Sequence, residues 1–164
     1  MQQKGMVWVI GASGGLGRAT AQAFAQNGWS VIAGARSFAA GTSPLGEGVT
    51  VLPLDVTNDE SCTAFVKKAL GMESRVDVLV CAAAQLVLGS CENTTVDELD
   101  RLLDVNVLGA VRMIQRALPL MRAQKSGKII LFSSINGLLG IPFQSAYTAS
   151  KHALEGYAEC LAME

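Results

Sequence analysis

The chain has 164 residues, half of them hydrophobic and 16% charged, a composition that can bury a core and is not typical of disorder. Its length suits one domain, which we predict over residues 1–164. The formal net charge of −1 gives no electrostatic reason to expect a nucleic acid or an anionic membrane as a partner. No apolar run is as long as a membrane span and the N-terminus has no secretory pattern, so we expect a cytoplasmic protein.

Short apolar runs alternate with segments of helical spacing. Five runs have the length and composition of buried strands: residues 6–10, 29–33, 49–54, 76–81 and 128–132. Four segments predict helices: 16–26, ended by Asn27 and Gly28; 58–70, capped by Thr57 or Asn58; 95–118, opened by a capping box and ended or bent by Pro119; and 145–164. Residues 37–48 are rich in glycine and serine and predict a surface loop.

This alternation predicts a doubly wound parallel α/β sheet of the Rossmann type. In that strand order the run over 128–132 forms an apolar edge, and the last helix reaches Glu164 without a closing glycine, proline or basic turn. We therefore expect that the native chain continues past Glu164 and that the sheet lacks its last strands.

The four cysteines, at positions 62, 81, 91 and 160, have no metal-binding spacing. The single histidine, His152, does not complete a zinc set with them, and we interpret it as structural. We expect free thiols in a reducing compartment and no metal site.

A glycine-rich turn joins the first predicted strand to the first predicted helix. Gly11 permits a tight turn, the next glycines let the backbone approach a pyrophosphate, and Gly17 permits close packing of helix on sheet. The N–H groups at the helix start would then face the phosphates. The sequence predicts a dinucleotide-binding domain whose phosphate site comprises Gly11, Ser13, Gly14, Gly15, Leu16 and Gly17. A glycine turn without a ligand is the alternative.

The second predicted strand is followed by Arg36 and by no acidic residue that could hold a ribose 2′-hydroxyl. A guanidinium can pair with a 2′-phosphate through forked, charge-assisted hydrogen bonds. We therefore expect NADP(H) rather than NAD(H). An ordinary solvent-facing arginine at the end of a strand is the alternative.

Tyr147 and Lys151 are four residues apart and share one face of the last predicted helix. An ammonium close to a phenol favours the phenolate and lowers the tyrosine pKa from about 10. Such a phenol can pass a proton to or from a substrate oxygen. The Tyr-x-x-x-Lys spacing is common by chance, so its interpretation depends on the glycine turn that precedes it.

In this order and spacing, the motifs resemble the short-chain dehydrogenase/reductase family from Val7 to the end of the chain. Residues 76–81, 103–107 and 149–156 are most similar to its hydroxysteroid and retinol dehydrogenase branch. The resemblance implies that Tyr147 is the general acid/base and that Lys151 lowers its pKa and holds the nicotinamide ribose. It also implies that Ser134 bonds the substrate oxygen, with Ser133 as an alternative, and that Asn106 holds a water linking Lys151 to solvent.

The resemblance further implies that Asp55 and Val56 contact the adenine, that Ala82 and Ala83 lie beside the cofactor, and that the chain forms a dimer or tetramer. The family's usual Thr is Ile10 here, and its usual Asn-Asn-Ala-Gly is Cys81-Ala82-Ala83-Ala84. We expect strain at Ala84 if its backbone needs a positive φ. Three residues are the expected lining of the substrate pocket: Ile135, Ile141 and Phe143.

Together these observations predict an NADP(H)-dependent oxidoreductase that interconverts a small apolar secondary alcohol and a ketone or aldehyde. One alternative is a nucleotide-binding scaffold without turnover. A second is an epimerase or dehydratase, because the glycines also fit a Gly11-x-x-Gly14-x-x-Gly17 pattern.

Overall fold

The computed structural model describes residues 4–38 and 45–164. The strands are β1 (Met6–Ile10), β2 (Ser30–Ala35), β3 (Val49–Pro53), β4 (Val78–Cys81) and β5 (Lys128–Leu131). The helices are α1 (Gly15–Gln26), α2 (Asp59–Met72), α3 (Val96–Leu103), α4 (Gly109–Gln124) and α5 (Ser145–Met163). A π-helical turn covers Asp104–Leu108, and a 3-10 turn covers Ile135–Gly137. The centre of the predicted loop, residues 39–44, lies outside the described residues.

The five strands form one parallel sheet in the order β3-β2-β1-β4-β5. The side chains of β1 alternate between the two faces, so that Trp8 packs with α2, α4 and α5 while Val9 packs with α1 and β2. Burial on both faces explains why β1 is a continuous apolar run. The predicted doubly wound parallel α/β sheet is confirmed.

The direction of strand addition reverses between β1 and β4. The chain first runs outward from β1 to β3, then returns to pair β4 with β1, with Val7 opposite Val78. The connections after β1 and β4 therefore leave the sheet in different directions, and a crevice opens at the carboxyl ends of these two strands. The glycine-rich turn lies at this crevice.

The predicted helix over 95–118 is longer than expected. It begins with the predicted capping box, in which Thr95 and Glu98 exchange hydrogen bonds, and continues through the π-helical turn into α4. Of the two predicted outcomes at Pro119, an end or a bend of the helix, the end does not occur, because Ala117 and Met121 on either side of it are buried in the core. Their packing outweighs the loss of one backbone hydrogen bond, and the helix ends at Gln124.

Other boundaries differ from the predictions by a few residues. Asn58 is the N-cap of α2 and accepts a hydrogen bond from the N–H of Ser61 over 2.7 Å. Asn27 and Gly28 end α1 as predicted, with Gly28 at a φ of 82°. Strand β5 lies at the sheet edge with half-buried apolar side chains, as expected for the run over 128–132.

Within residues 4–38 and 45–164, no helix has the length and apolar character needed to cross a membrane. The same residues contain no group of three or more side chains that could hold a metal ion. Two of the thiols, Cys62 and Cys81, are buried, and the other two, Cys91 and Cys160, are exposed.

Candidate active site

A cleft of about 260 Å³ opens at the carboxyl ends of the central strands. The turns after β1, β2, β3 and β4 all contribute to it, together with one residue of the π-helical turn. Its lining includes Gly11, Ser13, Gly14, Arg36, Asp55, Val56, Ala82, Ala83, Gln85 and Val105. The sequence thus predicted most of the groups that meet here, although they lie far apart along the chain.

The glycine turn is tight enough to exclude side chains at two positions. Gly11 has a φ of 87°, and a Cβ atom there would collide with the backbone nitrogen of Ala83. A Cβ atom at Gly17 would collide with the carbonyl oxygen of Gly11. The first contact holds β1 against the turn after β4, and the second holds α1 against the turn that precedes it, as predicted for these glycines.

The N-terminus of α1 has the chemistry of an anion site. Its N-cap, Gly14, has no side chain to bond the first N–H groups of the helix, and Gly15 and Leu16 follow in the first turn. A helix start leaves its first N–H groups without intrahelical partners and carries a partial positive charge. The cleft borders this helix start and has no Cβ atoms on its glycine side. These two features fit a dinucleotide pyrophosphate.

At the adenine end predicted from the sequence, Asp55 is held as a carboxylate. Its Oδ1 accepts hydrogen bonds from the hydroxyl of Thr57 at 2.7 Å and the N–H of Thr57 at 3.0 Å. These bonds lower the pKa of Asp55, and the positive charges of Arg36 and Arg112 act in the same direction. Arg36 is exposed at the end of β2, so the cleft presents one cation and one anion where β2 and β3 end.

The turn after β4 lines the cleft with three alanines, Ala82, Ala83 and Ala84, followed by Gln85. Ala84 does not adopt a positive φ: among the described non-glycine residues, only Lys125 and Phe143 do. The condition for strain at Ala84, a positive φ, is therefore not met. Cys81, which ends β4, is buried, and this burial raises its pKa to about 12.

Asn106 joins the cleft to the last helix. It lies in the π-helical turn, is 2% exposed, and pairs with the backbone of Gln85, accepting from its N–H at 2.7 Å and donating to its carbonyl at 2.9 Å. Its Nδ2 also donates to the Ser150 hydroxyl over 3.0 Å. One buried amide thus connects the cleft lining to α5.

Tyr147 and Lys151 lie on the same side of α5, with the Lys151 Nζ 5.6 Å from the centre of the Tyr147 ring. Lys151 is 2% exposed and donates a hydrogen bond to the carbonyl of Phe132 at 2.7 Å. Burial lowers the pKa of Lys151, and the nearby Glu155 carboxylate opposes this shift. The predicted proximity of the phenol and the ammonium is present in the structure.

The two serines after β5 have different surroundings. Ser134 is the N-cap of the 3-10 turn, and its Oγ donates to the Asn136 side chain over 3.1 Å. The Ser133 Oγ is buried without a hydrogen-bond partner and borders a separate groove between β5, α4 and α5. The sequence analysis missed Asn136, which bonds Ser134, and also Gln144 and Thr148, which bond Asn136, because nothing in their spacing indicates a shared network.

Six exposed apolar side chains lie in two segments of the chain. They come from the segments after β4 and β5: Leu86, Leu88, Ile135, Leu138, Leu139 and Phe143. The two segments meet where the N–H of Gly89 bonds the carbonyl of Phe143 at 2.9 Å. Of the three expected pocket residues, Ile135 and Phe143 are exposed in this group and Ile141 is half-buried.

Comparison with known proteins gives a family match over nearly the whole chain. The model of a family described as short chain dehydrogenase matches residues 5–164. A 3-ketodihydrosphingosine reductase of Bacteroides thetaiotaomicron is 38% identical over 162 residues, which are 99% of this chain and 59% of that protein. Estradiol 17-beta-dehydrogenase 1 of Rattus norvegicus is 45% identical over 113 residues, 69% of this chain and 32% of the rat protein.

Two solved structures share the fold with a TM-score of 0.88. A short-chain dehydrogenase from Streptomyces avermitilis is 36% identical, and the match covers 96% of this chain and 59% of that one. An alcohol dehydrogenase from Thermococcus sibiricus complexed with 5-hydroxy-NADP is 28% identical, with coverage of 96% and 70%. The chain therefore spans about six tenths of the bacterial reductase and a third of the rat enzyme.

Proposed function

Because this chain belongs to the short chain dehydrogenase family, we propose that it is an NADP(H)-dependent oxidoreductase interconverting a small apolar secondary alcohol and a ketone or aldehyde. Membership makes a nucleotide-dependent oxidoreductase the expected class. The observation that carries the finer proposal is the Asn106 side chain, which bonds both Gln85 at the cleft and Ser150 on α5. It places the cleft beside the helix that bears Tyr147 and Lys151.

In this mechanism Tyr147 exchanges a proton with the substrate oxygen while Ser134 holds that oxygen by a hydrogen bond. The bound nicotinamide supplies or takes up the hydride. Lys151 places a positive charge next to the phenol, from the same helix face. Charge that develops on the substrate oxygen then meets a hydroxyl donor and a nearby cation.

Asn106 is proposed to hold the water that connects Lys151 to solvent. Its two amide protons are used by the Gln85 carbonyl and the Ser150 hydroxyl, and its Oδ1 accepts from the Gln85 N–H. A carbonyl oxygen can accept two hydrogen bonds, so Oδ1 retains one position for a water.

Cofactor binding is assigned to the glycine turn and the cleft residues. The N–H groups at the start of α1 would bind the pyrophosphate, Asp55 and Val56 the adenine, and Arg36 the 2′-phosphate. Ala82 and Ala83 would pack beside the cofactor. The exposed apolar residues of the segments after β4 and β5 support a substrate with an apolar body. We further propose one NAD(P)-binding domain over residues 1–164 and a homo-oligomeric, cytoplasmic protein.

Substituting Tyr147→Phe tests the proton transfer. The ring and its contact with Lys151 stay, while the hydroxyl is lost, so kcat should fall at least about 100-fold. Cofactor binding, followed by NADPH fluorescence, should be nearly unchanged. Tyr157→Phe is the matched control, since Tyr157 packs against the core on the same helix and should be dispensable for turnover. Normal turnover in Tyr147→Phe would refute the mechanism.

Arg36→Asp tests the choice of cofactor. The change removes the proposed partner of the 2′-phosphate and adds a repelling charge, so the NADP/NAD ratio of kcat/KM should fall about 10- to 100-fold. Lys68→Asp, at an exposed position on α2, makes the same change in net charge and should leave the ratio constant. A ratio that stays constant in both variants would exclude Arg36 as the selecting residue.

A nucleotide-binding protein without turnover is the second candidate. The apolar side chains of Ala82, Ala83 and Ala84 favour it, because they offer the cofactor no hydrogen bonds. It predicts that NADPH binds the unsubstituted chain and that no member of a panel of secondary alcohols is oxidised. Turnover of any such alcohol excludes it.

A further inference from the structure

The Ser134 hydroxyl is held by a buried amide, that of Asn136. Asn136 is 3% exposed and follows Ser134 by two residues in the 3-10 turn. The Ser134 hydroxyl donates to the Asn136 Oδ1 at 3.1 Å, and the backbone N–H of Asn136 donates to the Ser134 Oγ at 3.3 Å. Ser134 is therefore engaged both as donor and as acceptor by one neighbour.

The other end of the Asn136 side chain is bonded to α5. Its Nδ2 donates to the Oε1 of Gln144 over 3.1 Å and to the Oγ1 of Thr148 over 2.9 Å. Gln144 is the N-cap of α5, and Thr148 follows Tyr147 in its first turn. The amide thus cross-links the turn that carries Ser134 to the helix turn that carries Tyr147.

We propose that Asn136 is a positioning residue for the reaction, which fixes the direction of the Ser134 hydroxyl and its spacing from Tyr147. This inference rests on the proposed function. Burial makes the arrangement rigid, because a side-chain amide without water must keep its protein partners. Both amide protons and the Oδ1 of Asn136 have such partners.

The network also defines what Ser134 offers a substrate. A serine hydroxyl has one donor and two acceptor positions. In the structure the donor and one acceptor are used by Asn136. To donate to a substrate oxygen, the Ser134 hydroxyl turns from the Asn136 Oδ1 to that oxygen, while the backbone N–H of Asn136 still holds the Ser134 Oγ. Asn136 therefore sets the direction of the Ser134 hydroxyl before the substrate binds and holds the Oγ at the position from which it donates to the substrate oxygen.

A double-mutant cycle between Asn136 and Ser134 tests this role. We expect Asn136→Ala and Ser134→Ala each to lower kcat about 10-fold or more, with little change in the KM for cofactor. The double variant should be within about twofold of Ser134→Ala alone, because Asn136 acts through Ser134. Losses that multiply in the double variant would overturn the positioning role and indicate an independent structural effect.

Thr148 provides a second test in case Asn136→Ala does not fold. Thr148→Val removes one anchor of the Asn136 amide and should lower kcat about threefold or more, and Thr148→Ser, which keeps the hydroxyl, should restore it. Thr63→Val, which removes a hydroxyl bonded to a backbone carbonyl on α2, is the control with unchanged kcat. Equal kcat in Thr148→Val and Thr148→Ser overturns the inference.

Turnover of the unsubstituted chain is measured first, with circular dichroism and thermal melts for every variant. Absence of turnover there overturns the proposed function, and with it the positioning role. If the unsubstituted chain turns over and the kcat losses of Asn136→Ala and Ser134→Ala multiply in the double variant, the positioning role alone is overturned.

Discussion

Two single residues, Lys151 on α5 and Asp55 at the cleft, differ in how their charge is held. Lys151 is almost fully buried, and its ammonium has a backbone carbonyl as its hydrogen-bond acceptor. Asp55 is half-buried and is bonded by Thr57, which lowers its pKa. Burial works against the charge of Lys151, whereas hydrogen bonds favour the charge of Asp55, so Asp55 should stabilise the fold at neutral pH and Lys151 should not.

The pH dependence of stability tests the Asp55 contact. Because the folded pKa of Asp55 lies below 3.8, its contribution is present above that pH and is lost as the pH falls through the folded value. Thr57→Val should cost about 1 kcal/mol of unfolding free energy at pH 7 and progressively less below pH 4, measured by urea unfolding without cofactor. The loss of unfolding free energy in the control variant Thr63→Val should stay constant over the same pH range. A loss in Thr57→Val that does not shrink on acidification would contradict the assignment.

The site could be predicted only where the sequence itself carries a spacing. Tyr147 and Lys151 share a helix face by number alone, and the glycine turn follows directly from its position after a strand. Asn136 could not be found in this way, because its partners Gln144 and Thr148 become its neighbours only when the turn after β5 packs on α5. The sequence also left open whether Ala84 needs a positive φ, and the structure shows that it does not.

Among the elements, the long segment from α3 to α4 contains two departures from regular α-helix. The π-helical turn over Asp104–Leu108 holds the buried Asn106, and such turns are often found at functional sites. Pro119 lies inside α4 with an exposed ring. The first departure positions an amide, whereas nothing in the packing around Pro119 requires a proline.

Replacing Pro119 should therefore stabilise the protein. Pro119→Ala restores an N–H for the helix hydrogen bond and loses no buried surface, so the unfolding free energy should rise by about 2 kcal/mol and Tm with it. Gln115→Ala, at an exposed position one turn earlier, controls for helix propensity and should change stability by less. A lower Tm in Pro119→Ala would show that the ring makes a contribution that the helix needs.

Helices and strands were predictable where the spacing of apolar residues and the capping or turn residues indicated the same boundaries. The strand runs, the capping box at Thr95 and the helix stop at Asn27 needed only local information. The sequence left open whether Pro119 ends or bends the helix, since the outcome depends on Ala117 and Met121 entering a core built by distant strands. Local signals predicted the order of strands and helices, whereas the π-helical turn that separates α3 from α4 and the end of α4 depend on tertiary packing.

At the scale of the whole molecule, β5 is an edge strand: within residues 4–38 and 45–164 its one neighbouring strand is β4. A groove of about 700 Å³ runs along β5 between α4 and α5 and is lined largely by apolar side chains, among them Ile129, Leu131 and Leu161. An unpaired parallel strand beside an apolar groove invites association with other chains. We therefore expect the 164-residue chain to associate with itself through this side.

Sedimentation velocity tests this association. The unsubstituted chain should sediment faster as its concentration rises, and Ala158→Lys, which places a charge in the groove, should shift the population towards monomer by about 10-fold or more in dissociation constant. Ala153→Lys adds the same charge on the exposed face of α5, outside the groove, and should leave the dissociation constant unchanged. A chain that is monomeric at all concentrations contradicts the expectation.

The strand order also has a consequence for synthesis on the ribosome. The first three strands are complete within the first 53 residues, whereas the crevice beside Gly11 has two walls only when β4 pairs with β1. A nascent chain that has exposed only its first half can build a local βαβ layer but offers a dinucleotide a single wall. Nucleotide present during translation would then bind only after residue 81 has left the ribosome and β4 has paired with β1. Because it binds the two-walled crevice, it would stabilise the chain in which β4 is paired relative to the chain in which it is not.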